Sequence, residues 1–343
     1  MGSTNPLSKP VSSRSLRIVS LTAAIVTYLL IILGSTVRVT HSGMGCPGWP
    51  LCYGQIGPVD RFHSIMEQSH RYLATIVTIL VFITAWIAWK QARRIKRVLI
   101  PALISAGVIL LQVLLGAITV ITHNAPITVA LHLATGMLEL GIVTTVAVSA
   151  YIDPDNKRTE ALDYLNDKHY GSFRAYGISA VVAIFIIIIS GSIVVDGGAE
   201  RSCPTWPLCN FRDTTTPLVV IQLVHRGVVL LGSMVVLLVV MQAWRRWTLP
   251  MVRPLALIVL CILMSQVTVG AFDAILKAPA SLQDIHLALA SALWVAVVSL
   301  VTVVWSAFVD QRIQKRQLIL GHTPVAPLAL DDSHSSKSMI KGT

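Results

Sequence analysis

The chain has 343 residues, of which 54% are hydrophobic and only 13% charged. A soluble domain carries roughly 25% charged residues, so this composition excludes an ordinary soluble enzyme and points to a protein of the lipid bilayer. The formal net charge of +11 does not indicate a nucleic-acid partner, because Lys and Arg sit in short clusters between long apolar runs.

Residues 1–16 form a polar N-terminal tail. The first apolar run is followed by no small-residue cleavage site of the usual kind, so it reads as a retained helix. Runs long enough to cross a bilayer, about 20 residues each, cover 17–38, 68–89, 98–121, 127–150, 174–195, 218–243, 254–274 and 281–306. The expected fold class is an all-α membrane protein with eight transmembrane helices. Lys9, Arg14 and Arg17 precede the first helix, and Lys90, Arg93, Arg94, Lys96 and Arg97 join the second to the third. Lys157, Arg158, Lys168 and Arg174 join the fourth to the fifth, Arg245, Arg246 and Arg253 the sixth to the seventh, and Arg312, Lys315 and Arg316 follow the eighth. The other connections are poorer in Lys and Arg. By the positive-inside rule both termini are cytoplasmic in a multi-pass protein of the cell membrane, and loops 39–66 and 196–217 lie on the outer face. The segment 151–173 is then a cytoplasmic linker, and the polar tail 309–343 is expected to be disordered.

The sequence repeats itself. Cys46-Pro47-Gly48-Trp49-Pro50-Leu51-Cys52 returns as Cys203-Pro204-Thr205-Trp206-Pro207-Leu208-Cys209, and Gly34-Ser35 returns at the same spacing as Gly191-Ser192. Gln112-Val113 with Gly116-Ala117 returns, at a slightly shorter spacing, as Gln266-Val267 with Gly270-Ala271. Two units follow, 17–150 and 174–308, each of four helices. An even number of helices inserts both copies in the same direction, so two four-helix bundles related by a pseudo-twofold axis along the membrane normal are expected. Both cysteine pairs fall on the side where disulfides persist. Each pair closes a short loop with two prolines, so the bridges Cys46–Cys52 and Cys203–Cys209 are expected, with free thiols or ligands of an unrelated metal as the alternatives. Cys261, inside the seventh run, reads as a small core residue.

Ten histidines divide into two groups. His169, His322 and His334 lie in polar cytoplasmic segments, and His41, His63 and His123 lie in or beside the outer connections. His70, His132, His225 and His286 lie near the outer ends of the even-numbered helices. His132 is six residues after Pro126, His286 seven after Pro279 and His225 eight after Pro217, which is about 9–12 Å into each helix at 1.5 Å per residue. An intramembrane imidazole is costly and marks a functional site by default. Two histidines on neighbouring helices, without a carboxylate pair or thiolate, suit axial ligation of a haem iron, whereas zinc asks for three or four ligands. Ala130, Ala134 and Gly136 beside His132, and Ala288 and Ala290 beyond His286, favour a flat macrocycle. Gly116 and Gly270 are expected to let such a ring approach the odd-numbered helices. Arg71 and Arg226, each following a histidine, are placed to pair with haem propionates or to snorkel at the interface.

The repeats differ at one telling position. Glu67-Gln68-Ser69-His70-Arg71 of the first answers to Gln222-Leu223-Val224-His225-Arg226 of the second. Glu67 lies three residues before His70, on the same helical face. A carboxylate transfers protons and an amide does not, so the first unit is expected to react and the second only to hold its ligand.

Eight helices in two repeats, the Cys-Pro-x-Trp-Pro-x-Cys loop and Glu-x-x-His-Arg at the head of the second helix together resemble the haem A synthase family, over roughly residues 17–308. The resemblance implies an oxidoreductase acting on a methyl group. It would convert the C8 methyl of haem O to the formyl group of haem A for cytochrome c oxidase, by two hydroxylations to a gem-diol that loses water. It implies that His70 and His132 flank the substrate haem, that His225 and His286 ligate the iron of a haem b cofactor, and that Glu67 is catalytic; on the placement of the arginines, Arg71 is expected at the substrate haem and Arg226 at a propionate of haem b. Cys46 and Cys52 match the family's first-loop pair. The second pair, Cys203 and Cys209, favours a structural role for both. Haem O and haem A, membrane lipid, haem O synthase and a cytochrome c oxidase assembly factor are the implied partners, with a homo-oligomer as a candidate state and no nucleic acid. The main competing reading is a bis-histidine membrane cytochrome b that takes electrons from quinol. A thiol–disulfide carrier would not need four intramembrane histidines, and a transporter would show a broken helix with paired charges.

Overall fold

A computed structural model describes residues 13–56, 60–93, 95–152, 167–209, 216–246 and 251–319. Among these the fold is all-helical, with α1 Arg14–Val39, α2 Phe62–Gln91, α3 Lys96–Ile121, α4 Pro126–Tyr151, α5 Asp167–Asp196, α6 Pro217–Arg246, α7 Val252–Ile275 and α8 Ala280–Ile319. All eight are long and apolar enough to cross a membrane.

Each helix is the expected apolar run extended by polar turns at its ends, because hydrogen bonding continues where hydropathy stops. Ser13 caps α1, its side chain accepting from the Leu16 N–H at 3.2 Å, and Pro126 and Pro217 begin α4 and α6 where a missing N–H costs nothing. Three boundaries move. α2 begins at Phe62 and not at 68, which puts His70 eight residues into its helix, the same depth as His225 after Pro217. α5 begins at Asp167, inside the segment expected to be a linker, and the rest of that linker, 153–166, lies outside the described residues. α8 continues to Ile319, into the stretch expected to be disordered; residues 320–343, with His322 and His334, lie outside the described residues.

The four odd-numbered helices end alike. A backbone N–H reaches back five residues at the end of each: Ser42 to the Val37 carbonyl, Asn124 to Thr119, Ala199 to Val194 and Ala278 to Asp273, all at 2.8 Å. This is the Schellman closure, which needs a left-handed residue. His41, His123 with Asn124, Gly198, and Lys277 with Ala278 supply it at positive φ. His41 and His123 are therefore turn residues at the cysteine-loop end of the bundle.

Packing follows two rings. α1, α2, α3 and α4 close one and α5, α6, α7 and α8 the other, and the rings meet through α4 on α8, α1 on α8 and α4 on α5. Exchanging the halves maps α4 on α8 onto itself and α1 on α8 onto α4 on α5. α4 and α8 are the most enclosed helices. Their seam is set by Gly141, where an added Cβ would stand 2.9 Å from Trp294 Cζ2, and by the Trp294 indole N–H donating to the Met137 carbonyl at 2.8 Å. Towards the cysteine-loop end α1 is tied across the halves by Ser35 donating to Asp284 of α8 and by Arg38 pairing with Asp196 of α5 at 3.4 Å. Cys261, expected in the core, faces outward from α7, where lipid suits a small apolar thiol equally well.

Candidate functional site: two histidine pairs beneath two disulfide loops

Each half carries one disulfide-closed loop. Cys46 is bonded to Cys52 and Cys203 to Cys209. Trp49-Pro50 and Trp206-Pro207 are both cis. Each loop is held down by the arginine that follows the histidine of the even helix below it. Arg71 Nη1 donates to the carbonyls of Gly48 at 2.7 Å and Pro50 at 3.3 Å, and its Nη2 to that of Cys46 at 3.1 Å. Arg226 repeats this on Thr205 at 2.7 Å, Pro207 at 3.0 Å and Cys203 at 2.9 Å. A guanidinium presents its donors in a planar fork, which is why one side chain can clamp three carbonyls. The expected propionate contact of Arg71 or Arg226 has to compete with these bonds.

Glu67 and Gln222 are both buried under their loops. Glu67 takes a hydrogen bond from the Cys46 N–H on Oε2 at 2.7 Å and pairs through Oε1 with Arg71. Gln222 does the reverse, donating from Nε2 to the carbonyls of Ala199 at 3.1 Å and Glu200 at 3.2 Å. The first loop is further seated by Ser64 donating to the Gly45 carbonyl at 2.7 Å and by Ser42 Oγ 2.9 Å from His63 Nδ1. His63 thus has a loop partner.

Below the loops lie the four histidines of the even helices. His70 and His132 are within electrostatic reach of each other, as are His225 and His286. All four histidines are half-buried. Each also lies against a glycine of the preceding odd helix. A Cβ on Gly34 would stand 3.1 Å from His70 Nε2, on Gly116 3.4 Å from His132 Cε1, on Gly191 3.3 Å from His225 Cε1 and on Gly270 2.7 Å from His286 Cε1. The space expected at Gly116 and Gly270 for a macrocycle is taken first by the imidazoles themselves. Gly34 and Gly191, which sequence reasoning used only as markers of the repeat, do the same for the other two rings.

The ring nitrogens are not all spent. The Nδ1 atoms of His132 and His286 are buried without a hydrogen-bond partner. His225 Nδ1 is 2.8 Å from Ser190 Oγ, which fixes the ring and leaves Nε2 available, the usual arrangement behind a metal-ligating imidazole. His286 Nε2 has Gln266 Nε2 at 3.3 Å. Among the described residues no three of His, Cys, Asp and Glu gather into a metal-binding cluster. Two imidazole donors in each half would suit haem, whose iron asks few ligands of the protein.

Eight helices long and apolar enough to cross a membrane, with two pairs of histidines set within them, define a multi-pass membrane protein. The model of the COX15-CtaA family, described as "Cytochrome oxidase assembly protein", matches residues 17–65 and 59–298, and the chain belongs to that family. Among its curated relatives, the Heme A synthase of Shouchella clausii (strain KSM-K16) is 31% identical over 238 residues, covering 68% of this chain and 76% of that protein. The Heme A synthase of Geobacillus kaustophilus (strain HTA426) is 28% identical over 267 residues, covering 75% and 81%. That of Bacillus licheniformis is 26% identical over 223 residues, covering 64% and 72%.

Proposed function

We propose that the chain makes haem A, oxidising the C8 methyl of haem O to a formyl group. The relatives' names support haem A synthesis, and one observation carries the division of labour. Two equivalent histidine pairs sit under two equivalent disulfide loops, yet only the first has a carboxylate, Glu67, in the second turn of the helix that carries its histidine. In this reading His70 and His132 receive the substrate haem, while His225 and His286 hold a resident haem b, which supplies one-electron redox chemistry when bound. Pseudo-twofold symmetry between the halves accounts for the exchangeable helix contacts and the four matching turns. The cysteine loops then face outward and the Lys- and Arg-rich connections the cytoplasm.

Each hydroxylation with water as oxygen source inserts OH in place of H and releases two protons and two electrons. The second gives a gem-diol, whose loss of water leaves the aldehyde. The protein must therefore orient the methyl, accept protons and exclude side reactions. Glu67, tied at both oxygens, is held in one place, and Arg71 balances its charge. Its proposed role is to take a proton or to stabilise positive charge developing on the substrate. The same two ties also favour the alternative, a bis-histidine cytochrome b in which Glu67 merely seats a loop. The two readings are separated by supplying haem O to the purified protein with an electron acceptor and weighing the extracted haems. Conversion to haem A supports the synthase, and unchanged haem O with tightly held haem b supports the cytochrome.

A further inference from the structure

A second carboxylate lies deeper in the first half. Glu139 is on α4, seven residues beyond His132, so about 10 Å further into the bundle. It is 1% exposed. Ser105 of α3 donates to its Oε1, while Oε2 is buried with no hydrogen-bond partner. An acidic residue at such depth is costly to place in a bilayer and marks a functional position by default. A helix seam that needed only packing would have an apolar residue there, and the second half does. At the spacing that matches His132 to His286 and Gln112 to Gln266, Ser105 corresponds to Val259 and Glu139 to Leu293, both buried and apolar.

The layer between Glu139 and the histidine also differs between halves. In the first, Thr135 Oγ1 donates to Gln112 Oε1 at 2.8 Å. In the second, Leu289 stands where Thr135 would, and Gln266 turns to His286 instead. His132, Thr135 and Glu139 follow one another at three and four residues, on one face of α4. Along α3 they are met by Gly116, Gln112 and Ser105. The first half thus has polar side chains at each level from its histidine inward to Glu139, whereas in the second half Gln266 is the last of them, with Leu289, Val259 and Leu293 at the other positions.

We propose that Glu139, held by Ser105, is a proton-holding site for the first-half pocket, exchanging a proton with it along the Thr135–Gln112 layer as the pocket's ligand is oxidised and reduced. The proton arrives on the carboxylate to give the neutral carboxyl and leaves by the same row. No covalent bond is made or broken in the protein. The inference rests on the proposed function for what generates the proton, and on this geometry for where the proton goes.

The test uses the full-length protein with its bound haem, oxidised and reduced in an infrared cell, alongside haem O turnover. The wild type is expected to show a carboxyl C=O difference band that is absent in Glu139→Gln and retained in Glu67→Gln. Ser105→Ala, which keeps the carboxyl but removes its donor, is expected to shift the band. Glu139→Gln should bind haem normally yet slow turnover at least tenfold, and Glu139→Leu, which copies the second half, should behave the same. A band that survives Glu139→Gln, or turnover within twofold of wild type in both variants, overturns the proposal. If the wild type binds haem but leaves haem O unchanged, the proposed function fails while the infrared comparison still decides the role of Glu139.

Discussion

The backbone N–H of Cys46 donates a 2.7 Å hydrogen bond to Oε2 of Glu67. This one bond joins the disulfide of the first loop to the carboxylate just above the histidine, so loop and carboxylate are one unit. In the second half the polarity is reversed, because Gln222 donates to two loop carbonyls. The Glu/Gln difference therefore changes which loop atoms face the site as well as its charge.

Glu67→Gln should keep haem content and lose haem A formation. General acid–base assistance contributes about 10²–10⁴-fold, so a fall of at least tenfold is expected, measured by mass of the extracted haems. The reciprocal change, Gln222→Glu, sets a carboxylate against the Ala199 and Glu200 carbonyls. Losing that donor while adding repulsion should cost about 1–3 kcal/mol, seen as a lower melting temperature in detergent.

The glycine opposite each imidazole gives a graded test. Gly270→Ala places a methyl 2.7 Å from His286 Cε1 and should displace the ring, weakening haem retention and altering the haem spectrum. Gly107→Ala, on the same type of helix but with open space around the new Cβ, should leave the spectrum unchanged.

The arginine clamps predict a loop phenotype. Lysine cannot reproduce a planar fork onto three carbonyls, so Arg226→Lys should loosen the second loop. Reduction and alkylation of Cys203 and Cys209 should then run several-fold faster than in the wild type, while Cys46 and Cys52 keep their rate. Equal acceleration of both pairs, or of neither, would contradict a local clamp.

The seam between halves is predicted to be sterically tight. Gly141→Leu drives a side chain into Trp294 and should destabilise by about 1–3 kcal/mol through overpacking, read from thermal unfolding in detergent. Leu138→Ala, at an outward-facing position one turn away, should cost far less.

Much of this was legible in the sequence because bilayer helices are coded by length and hydropathy alone. Eight runs gave eight helices, and the copied Cys loop announced the duplication. Helix ends were less legible, since Phe62–Gln68, Asp167–Phe173 and Asp310–Ile319 are helical without being continuously apolar. The direction of long side chains was not legible at all. Arg71 and Arg226 read as propionate partners or as snorkelling residues, and their grip on three loop carbonyls was invisible until those acceptors were placed. The roles of Gly34 and Gly191 depended on which residue of the neighbouring helix they meet. Glu139 did leave a signal, a lone acid in an apolar α4, but its meaning appears only when Ser105 is brought to it from α3.

The central claim is that the two histidine pairs do different work. Haems extracted from the purified wild type, His70→Ala and His286→Ala after incubation with haem O and an electron acceptor, identified by mass, test it most directly. The account predicts haem A together with retained haem b from the wild type, retained haem b with unconverted haem O from His70→Ala, and loss of haem b from His286→Ala. Haem b lost equally from both variants, or haem O left intact by the wild type, would contradict it.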